Sequence, residues 1–245
     1  MAIDEYRFED GDTIEVSTDR TDNFLFVQLD DTLTPSLLYI PGRNWTYRIG
    51  LSENDRNAAP PSRFTGDHHV LTVRRALEQE VLAYRDLSHN SHDQAEPSGA
   101  YPHVEANRET RGEAVFAGRC VIDGKLFGSS HGQYPFTSWG VDNDPAARLT
   151  VDFGHPVMVR LIRVLIRSDF PHDSYWTSLR ASFSDGTSVN LTGRKTAEFQ
   201  DYPIPALRTT FVTLDHLVKA DDESPFPALT QLNVYGETAG LPGSP

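Results

Sequence analysis

Apolar and polar side chains alternate in short runs along this chain, and glycines and prolines separate the runs. Alternation with a period of two is typical of strands that bury one face. In the first half it predicts strands over residues 15–17, 24–29, 37–40, 45–49 and 69–73. Pro41-Gly42 lies between two of these runs, and such a turn signal favours a β-hairpin. Good helix formers with acidic side chains near their start predict at most one short helix, near residues 76–87.

The alternation is stronger in the second half of the chain. It predicts strands over residues 149–153, 157–166, 179–183, 189–191, 211–214 and 232–235. Within residues 157–166 the apolar positions change from odd to even numbers, which indicates a β-bulge or a strand buried on both faces. Asp185-Gly186 lies between two alternating runs and predicts another hairpin.

A polar stretch divides the two halves. Residues 88–101 contain few apolar side chains and show no period, which is typical of a linker between folded units. The chain of 245 residues is long enough for two hydrophobic cores. We therefore expect an all-β protein with a small β-sandwich domain of unknown family over residues 1–95, a second β-sandwich over residues 96–238, and a flexible tail over residues 239–245.

Charge and cysteine content narrow the classes of partner and location. The chain carries 22 Lys and Arg residues against 35 Asp and Glu residues, a formal net charge of -13. Such a chain repels a phosphate backbone and an anionic bilayer, so we expect neither a nucleic-acid nor a membrane partner. The sequence lacks an apolar run of about 18 residues, which a transmembrane helix needs. The first residues lack the character of a signal peptide, and Cys120 has no second cysteine to pair with, so we expect a cytoplasmic location.

Several motifs in the second half follow the order and spacing of a known family. They are Ala117 to Gly124 (AGRCVIDG), Ser138-Trp139, Leu149 to Gly154 (LTVDFG), Val159 to Arg167, Tyr175 to Gly186 and Leu229 to Gly236 (LTQLNVYG). Over residues 98–237 they resemble the discoidin or coagulation-factor C-terminal type domains, which are galactose-binding-like jelly rolls. Residues 109–114 and 168–173 are also similar to segments of uncharacterised bacterial carbohydrate-binding proteins, in which such a domain follows a small β-domain.

This resemblance implies a class of ligand and a structural ion. Members of the family bind carbohydrate more often than they catalyse a reaction, so the resemblance implies a carbohydrate-binding module. They often hold a calcium ion near the Asp-Gly loop through oxygen ligands. Here Asp123 matches the side-chain ligand and Ser138 the hydroxyl, whereas Gln231 replaces the glutamate of the closing strand and lacks its charge.

Two loops have the composition of a sugar-binding face. A sugar has apolar C–H faces and a rim of hydroxyls, so its site needs an aromatic platform beside directional hydrogen-bonding groups. Residues 131–139 and 167–176 combine aromatic, histidine and other polar side chains. The candidate ligand-binding residues in and near these loops are Arg111, Glu113, His131, Tyr134, Arg167, Asp169, His172, Asp173 and Trp176.

These candidates also have structural interpretations. Trp176 precedes a predicted strand and is either a core residue or an aromatic platform. Arg167 ends a predicted buried strand, and it either pairs with Asp169 or contacts vicinal hydroxyls of a sugar. Arg111 and Glu113 either pair with each other or contact the ligand. The sequence leaves each of these alternatives open.

Three functional interpretations follow. The first is a non-catalytic protein that binds a neutral or basic sugar, since the net charge of -13 disfavours acidic polysaccharides. The second is an enzyme acting on glycosides, in which Asp169, His172, Asp173 and Glu113 supply the acid and the base. The third is an interaction module for a partner enzyme, or a homo-oligomer. A binding module alone in the cytoplasm has no obvious polymer to hold, which keeps the second and third interpretations open.

Overall fold

The computed structural model describes residues 1–169 and 174–240, and most of its regular structure is antiparallel β-strand. The strands are β1 (Ala2–Asp4), β2 (Thr13–Ser17), β3 (Asn23–Gln28), β4 (Ser36–Ile40), β5 (Asn44–Arg48), β6 (His68–Val70), β7 (Thr72–Arg75), β8 (Arg85–Asp86), β9 (His103–Ala106), β10 (Trp139–Gly140), β11 (Leu149–Ile166), β12 (Trp176–Phe183), β13 (Ser188–Thr192), β14 (Gln200–Lys219) and β15 (Ala228–Thr238). The all-β class that the alternating pattern predicts is confirmed.

Short helical turns connect some of the strands. The α-helices are α1 (Glu53–Asn57) and α2 (Glu78–Leu82), and 3₁₀ turns lie at Thr110–Gly112, Ala114–Phe116 and Gly118–Ile122. Helix α2 confirms the predicted helix in a shorter form, whereas α1 is a further helix that the pattern does not predict. Helix α1 forms because the Ser52 hydroxyl accepts the backbone N–H of Asp55 at 3.2 Å and so caps its first turn. In the part of the chain that the structure describes, no helix has the length and apolar character needed to cross a membrane.

A large antiparallel sheet carries the main hydrophobic core. Its strands follow the order β10-β15-β11-β14-β12-β13, with β9 beside β11 and β8 beside β15. Side chains of this sheet, among them Phe153, Ile162, Val212 and Leu232, are buried in one cluster. Such burial stabilises the fold by about 25 cal/mol for each Å² of apolar surface that leaves water.

Strand β11 changes register along its length. Its pairing with β14 shifts between Asp152 and Val157 and again between Val159 and Leu161. The predicted β-bulge is therefore confirmed. An extra residue at a bulge reverses which face each later side chain points to, so the apolar positions change from odd to even numbers.

The two turn signals have different outcomes. Strands β12 and β13 pair across Asp185-Gly186, as predicted. The hairpin predicted at Pro41-Gly42 is wrong, because β4 pairs with β3 and β5 pairs with β2. The carbonyls of Pro41 and Arg43 accept the backbone N–H groups of Asp22 and Thr18 at 3.1 and 2.8 Å. These bonds direct the chain from one sheet into another, so a turn signal does not by itself identify the partner of a strand.

The first part of the chain builds its own cluster of buried side chains. The sheets β4-β3-β7 and β2-β5 contribute to it. Its large members include Leu25, Val27, Leu38, Trp45 and Ile49. The chain reaches the large sheet before residue 95, because β8 pairs with Tyr235 and Gly236 of β15. A domain boundary between residues 95 and 96 stays a prediction.

The segment predicted as a linker, residues 88–101, is packed by polar contacts. Ser88, Asn90 and His92 are each at most 1% exposed. The Nε2 atom of His92 accepts the backbone N–H of Leu29 at 3.2 Å, and the Asn90 amide donates to the Pro102 carbonyl at 2.7 Å. Buried polar groups of this kind are stable only when they are paired. Most of the segment lacks apolar periodicity because hydrogen bonds hold it in place, and only its end, at Ala100 and Tyr101, packs against hydrophobic clusters.

A cluster of rings joins the first sheets to β11. The imidazole of His155 lies 5.0 Å from the ring of Phe24 and 4.9 Å from the ring of Tyr39, measured between centroids. Burial lowers the pKa of His155 to about 4, because the cationic form would lose its hydration there. At pH 7 the imidazole is therefore neutral and packs as an aromatic ring.

We predict that His155 makes the fold sensitive to acid. Its pKa is about 4 in the folded state and 6.5 as the reference value for the unfolded chain, so it destabilises the fold as the pH falls through that window. The substitution His155→Phe keeps a ring against Phe24 and Tyr39 but removes the titration. Urea unfolding measures the free energy of unfolding at pH 7 and at about pH 4.5 for the parent and the variant. The decrease between the two pH values should be about 2 kcal/mol smaller in the variant than in the parent. An equal loss in both proteins would contradict this role of His155.

Candidate functional site

A cleft of about 400 Å³ opens where the segments following β9, β10 and β11 meet the segment that precedes β15. We call it the loop cleft. Its lining is Thr110, Arg111, Phe116, His131, Gly140, Val141, Asp142, Asn143, Arg167, Pro225, Phe226, Pro227 and Ala228. A volume of this size suits a small ligand.

A buried ion pair lies at the base of the loop cleft. The Nε atom of Arg167 lies 2.6 Å from Oδ1 of Asp169, and the two side chains are only 6% and 10% exposed. The Nδ1 atom of His131 contacts the other carboxylate oxygen of Asp169. The Nη2 group of Arg167 also donates to the carbonyl of Phe226 at 2.7 Å. The structure thus brings together His131, Arg167 and Asp169, which the sequence analysis selected from two separate loops.

The backbone fixes the position of this ion pair. The N–H of Arg167 donates to the Ala228 carbonyl at 3.0 Å, and the N–H of Ser168 donates to the Gly128 carbonyl at 2.6 Å. Gly128 permits this approach, because a Cβ there would lie only 2.9 Å from the carbonyl oxygen of Ile166. These backbone bonds, to Ala228 and to Gly128, therefore fix the position of Arg167 where β11 ends at the loop cleft.

A second ion pair borders the loop cleft. The Nε and Nη2 groups of Arg111 donate to the two carboxylate oxygens of Glu113 at 2.6 and 2.9 Å. This bidentate contact lowers the pKa of Glu113. The Arg111 guanidinium also lies 5.5 Å above the ring of Phe116. A recess beside the cleft is lined by Glu113, Gln133 and other residues, and it shares Arg111, Phe116 and His131 with the cleft.

Other predicted site residues lie elsewhere. Trp176 is 2% exposed and packs against Trp139 in the core, so it offers no ring face to a sugar and its interpretation as a platform is wrong. Tyr134 is 37% exposed on the same loop as His131 but outside the lining of the cleft, and its N–H donates to the carbonyl of Asn57. The candidates His172 and Asp173 lie outside the described residues.

Phe226, Asp142 and Asn143 are among the residues of the cleft that the sequence analysis missed. Phe226 is 51% exposed and lies between two prolines, a position in which a large apolar side chain has no strand to bury it. Asp142 and Asn143 have φ angles of +52° and +55°, a left-handed conformation that these residue types adopt more readily than others. The sequence signal that could have identified Phe226 is an aromatic residue that lies between two prolines and outside any strand pattern.

The residues proposed for calcium do not fit that ion. The Oδ1 atom of Asp123 accepts the N–H of Lys125 at 2.9 Å and the side-chain amide of Gln231 at 3.1 Å. The Lys125 ammonium lies 2.5 Å from Oδ2 of the same carboxylate. Ser138 is buried, and its N–H donates to the carbonyl of Val115. Calcium needs converging oxygen lone pairs, whereas the Asp123 carboxylate already accepts bonds from N–H donors on both of its oxygens.

Within the described residues, no group of three or more His, Cys, Asp and Glu side chains is arranged to hold a metal ion. Cys120 is buried, and burial raises the pKa of its thiol to about 11. A thiol with this pKa is protonated at neutral pH, which is consistent with the buried structural cysteine that its apolar surroundings predict.

No protein-family model matches the sequence. No curated protein matches it either. Solved structures similar to the chain include chitosan-binding module 1 of a chitosanase/glucanase from Paenibacillus sp. IK-5, with 17% identity over 63% of this chain and 100% of the module, at a TM-score of 0.44. A family 32 carbohydrate-binding module of NanJ from C. perfringens, in complex with galactose, has 16% identity over 54% of this chain and 91% of the module, at a TM-score of 0.41. A fucose-binding module from Streptococcus pneumoniae has 11% identity over 63% of this chain and 96% of the module, at a TM-score of 0.45.

These similar structures are carbohydrate-binding modules with the galactose-binding-like jelly-roll fold. That is the fold which the sequence motifs indicate for residues 98–237. The likeness concerns the fold, and the chemistry of the loop cleft is argued from its own residues.

We predict that Arg167 is required for stability as well as for the shape of the loop cleft. Arg167→Met leaves the buried Asp169 carboxylate without its cation, which should cost about 3–5 kcal/mol of unfolding free energy. The double variant Arg167→Met with Asp169→Leu should recover most of this loss. Arg160→Met is the matched control, because its pair with Glu237 is half exposed, and it should cost less than about 1 kcal/mol. Equal losses for Arg167→Met and Arg160→Met in urea unfolding would contradict the prediction.

We predict that a chelator leaves the thermal midpoint of the protein unchanged. The Lys125 ammonium neutralises Asp123 at the point where the family holds calcium, so removing divalent ions should remove nothing from the fold. Differential scanning calorimetry with and without chelator measures this. A midpoint that falls with chelator and returns with added calcium would show that the ion binds the native state and would contradict the prediction.

Proposed function

We propose that this chain is a non-catalytic carbohydrate-binding protein that holds a neutral or basic sugar in the loop cleft. The observation that carries the proposal is the juxtaposition of an exposed aromatic ring, Phe226, with the charged and amide side chains of Arg111, Asp142 and Asn143 in one cleft. The buried Arg167, paired with Asp169, holds the backbone of Phe226 through its carbonyl. An apolar face beside directional polar groups is complementary to a sugar ring.

The Phe226 ring supplies the apolar surface. It is 51% exposed, and Pro225 and Pro227 on either side of it restrict the backbone. Its carbonyl accepts the guanidinium of Arg167, which holds this segment against the end of β11. Because the backbone of this residue is already held in place, only the torsions of the side chain must be ordered when a sugar stacks on the ring, which supports a role as the platform.

Polar groups around the ring can select among hydroxyl patterns. The amide of Asn143 can donate and accept, the carboxylate of Asp142 accepts, and the guanidinium of Arg111 donates. Glu113 holds the Arg111 guanidinium through two bonds, so the direction of its donors is set before a ligand arrives. Such preorganised donors and acceptors support specific recognition of a polyhydroxyl ligand.

The state of the carboxylates supports binding without catalysis. A glycosidase needs one carboxylic acid with a raised pKa that protonates the leaving group. Arg111 lowers the pKa of Glu113, which keeps this side chain ionised at neutral pH. Asp169 is buried between Arg167 and His131, so its oxygens already have partners. Neither side chain has the environment of a general acid.

The test compares two exposed phenylalanines in the full chain. A glycan array first identifies a bound sugar, and calorimetry then measures its affinity for Phe226→Ala and for the control Phe127→Ala. Phe127 is 56% exposed and lies outside the loop cleft, so it matches Phe226 in size and exposure. Loss of the platform should weaken binding about tenfold or more, whereas the control should bind as the parent does.

Two results would overturn the proposal. Equal affinities for the parent and Phe226→Ala would place the sugar outside the loop cleft. An array without hits, combined with turnover of small aryl glycosides that is lost on Glu113→Gln, would favour the glycoside-active enzyme.

A further inference from the structure

A separate polar cavity lies between the first sheets and the 3₁₀ turns that follow β9. It has a volume of about 480 Å³, and its walls include Tyr47, Arg63, Arg119 and Lys125 together with residues 90–91 and 93–98. We call it the arginine cleft. The described linings of the arginine cleft and the loop cleft have no residue in common, so the two can be tested independently.

Arg63 brings a buried donor to this cleft. Its Nε–H is buried, and among residues 1–169 and 174–240 it has no hydrogen-bond acceptor. The backbone holds Arg63 in place through a turn, in which its N–H donates to the Pro60 carbonyl at 3.0 Å. A buried donor without an acceptor is unfavourable, and Arg63 is one of the residues that line the cleft, so an acceptor that reaches this guanidinium would stabilise it.

Arg119 brings a second guanidinium to the same cleft. Its Nη2 atom lies 3.7 Å from Oδ1 of Asp55, which is an ion pair but too long for a direct hydrogen bond. The other oxygen of Asp55 accepts the Ser52 hydroxyl at 2.6 Å. Asp55 therefore neutralises part of the charge of Arg119 without accepting a close hydrogen bond from it.

The two guanidiniums act on a common neighbour. Burial raises the pKa of the Tyr47 phenol, and the charges of Arg63 and Arg119 each oppose that rise. Both cations therefore lie close enough to Tyr47 to affect its ionisation. The two arginines come from distant parts of the sequence, and both line the cleft.

Glu96 is exposed on the wall of the cleft, whereas two other carboxylates of the cleft, Asp93 and Asp123, already have protein partners. The oxygens of Asp93 contact Nδ1 of His103 at 2.7 Å and accept the N–H of Val104 at 2.9 Å. The carboxylate of Asp123 is paired with Lys125. The arginines thus supply donors to the cleft, whereas these carboxylate oxygens are used within the protein.

We infer that the arginine cleft binds a small anion that carries a carboxylate or phosphate group, held between Arg63 and Arg119. A planar guanidinium matches the oxygens of either group through paired hydrogen bonds. The volume of about 480 Å³ exceeds that of a bare inorganic ion and leaves room for a polar body attached to the charged group. Amide and hydroxyl side chains of residues 90–98 lie on the wall beside that body.

The test uses calorimetry on the full chain at low ionic strength with galacturonate, galactose 6-phosphate and inorganic phosphate as separate probes. At least one organic anion should bind, and Arg63→Gln should weaken its binding about tenfold or more. Arg63→Lys keeps the charge but loses the planar donor pair, so it should fall between the parent and Arg63→Gln. Binding of galacturonate but not of galactose 6-phosphate would identify a carboxylate ligand. Binding of galactose 6-phosphate but not of galacturonate would identify a phosphate ligand.

Two controls separate this site from other effects. Arg7→Gln removes an exposed arginine that lies outside the cleft, and Phe226→Ala removes the platform of the loop cleft; both should keep the affinity for the anion. Thermal unfolding of each variant shows that it is folded. The inference is overturned if none of the probes binds, if only inorganic phosphate binds, or if Arg7→Gln weakens binding as much as Arg63→Gln does.

Discussion

The pairing of strand β11 constrains the rest of the large sheet. It runs from Leu149 to Ile166 and pairs with β9, β14 and β15, so its register decides where several other strands lie. Its bulges change which face of the strand is buried. Arg167 follows the last residue of β11, and its buried ion pair with Asp169 holds the start of the loop that leaves the sheet. The loop cleft therefore rests on the most extensively paired strand of the fold.

The two clefts show how an acidic chain can present cations locally. In the loop cleft, Arg167 is paired with Asp169, and it also donates to the carbonyl of Phe226, the exposed aromatic residue of the cleft. In the arginine cleft, Arg63 has no such carboxylate within the described residues, and its buried Nε–H has no acceptor among them. This difference in local partners, rather than the net charge of the chain, is the reason that we propose a neutral or basic sugar for the loop cleft and an anion for the arginine cleft.

Much of the fold could be predicted from the sequence, because period-two alternation reports which face of each strand is buried. The change of phase in β11 even predicted its bulge. Partners of strands were harder to predict: β5 follows β4 but pairs with β2, since backbone bonds far apart in sequence set the crossing. The sequence identified Arg111, Glu113, His131, Arg167 and Asp169 as site residues, whereas Phe226 was missed because its segment has no strand pattern. The pairing of Lys125 with Asp123 depends on side-chain geometry that a family motif does not record.

The central claim is that a sugar binds beside Phe226, on the scaffold that Arg167 and Asp169 hold. Its most direct measurement is a titration of the ¹⁵N-labelled full chain with the array-selected sugar, followed by backbone amide shifts. The account predicts that the largest shift changes fall at Gly140, Asn143 and Ala228, with the β12–β13 hairpin unchanged. Largest changes in that hairpin, or around Arg63, with the loop cleft unchanged would contradict it.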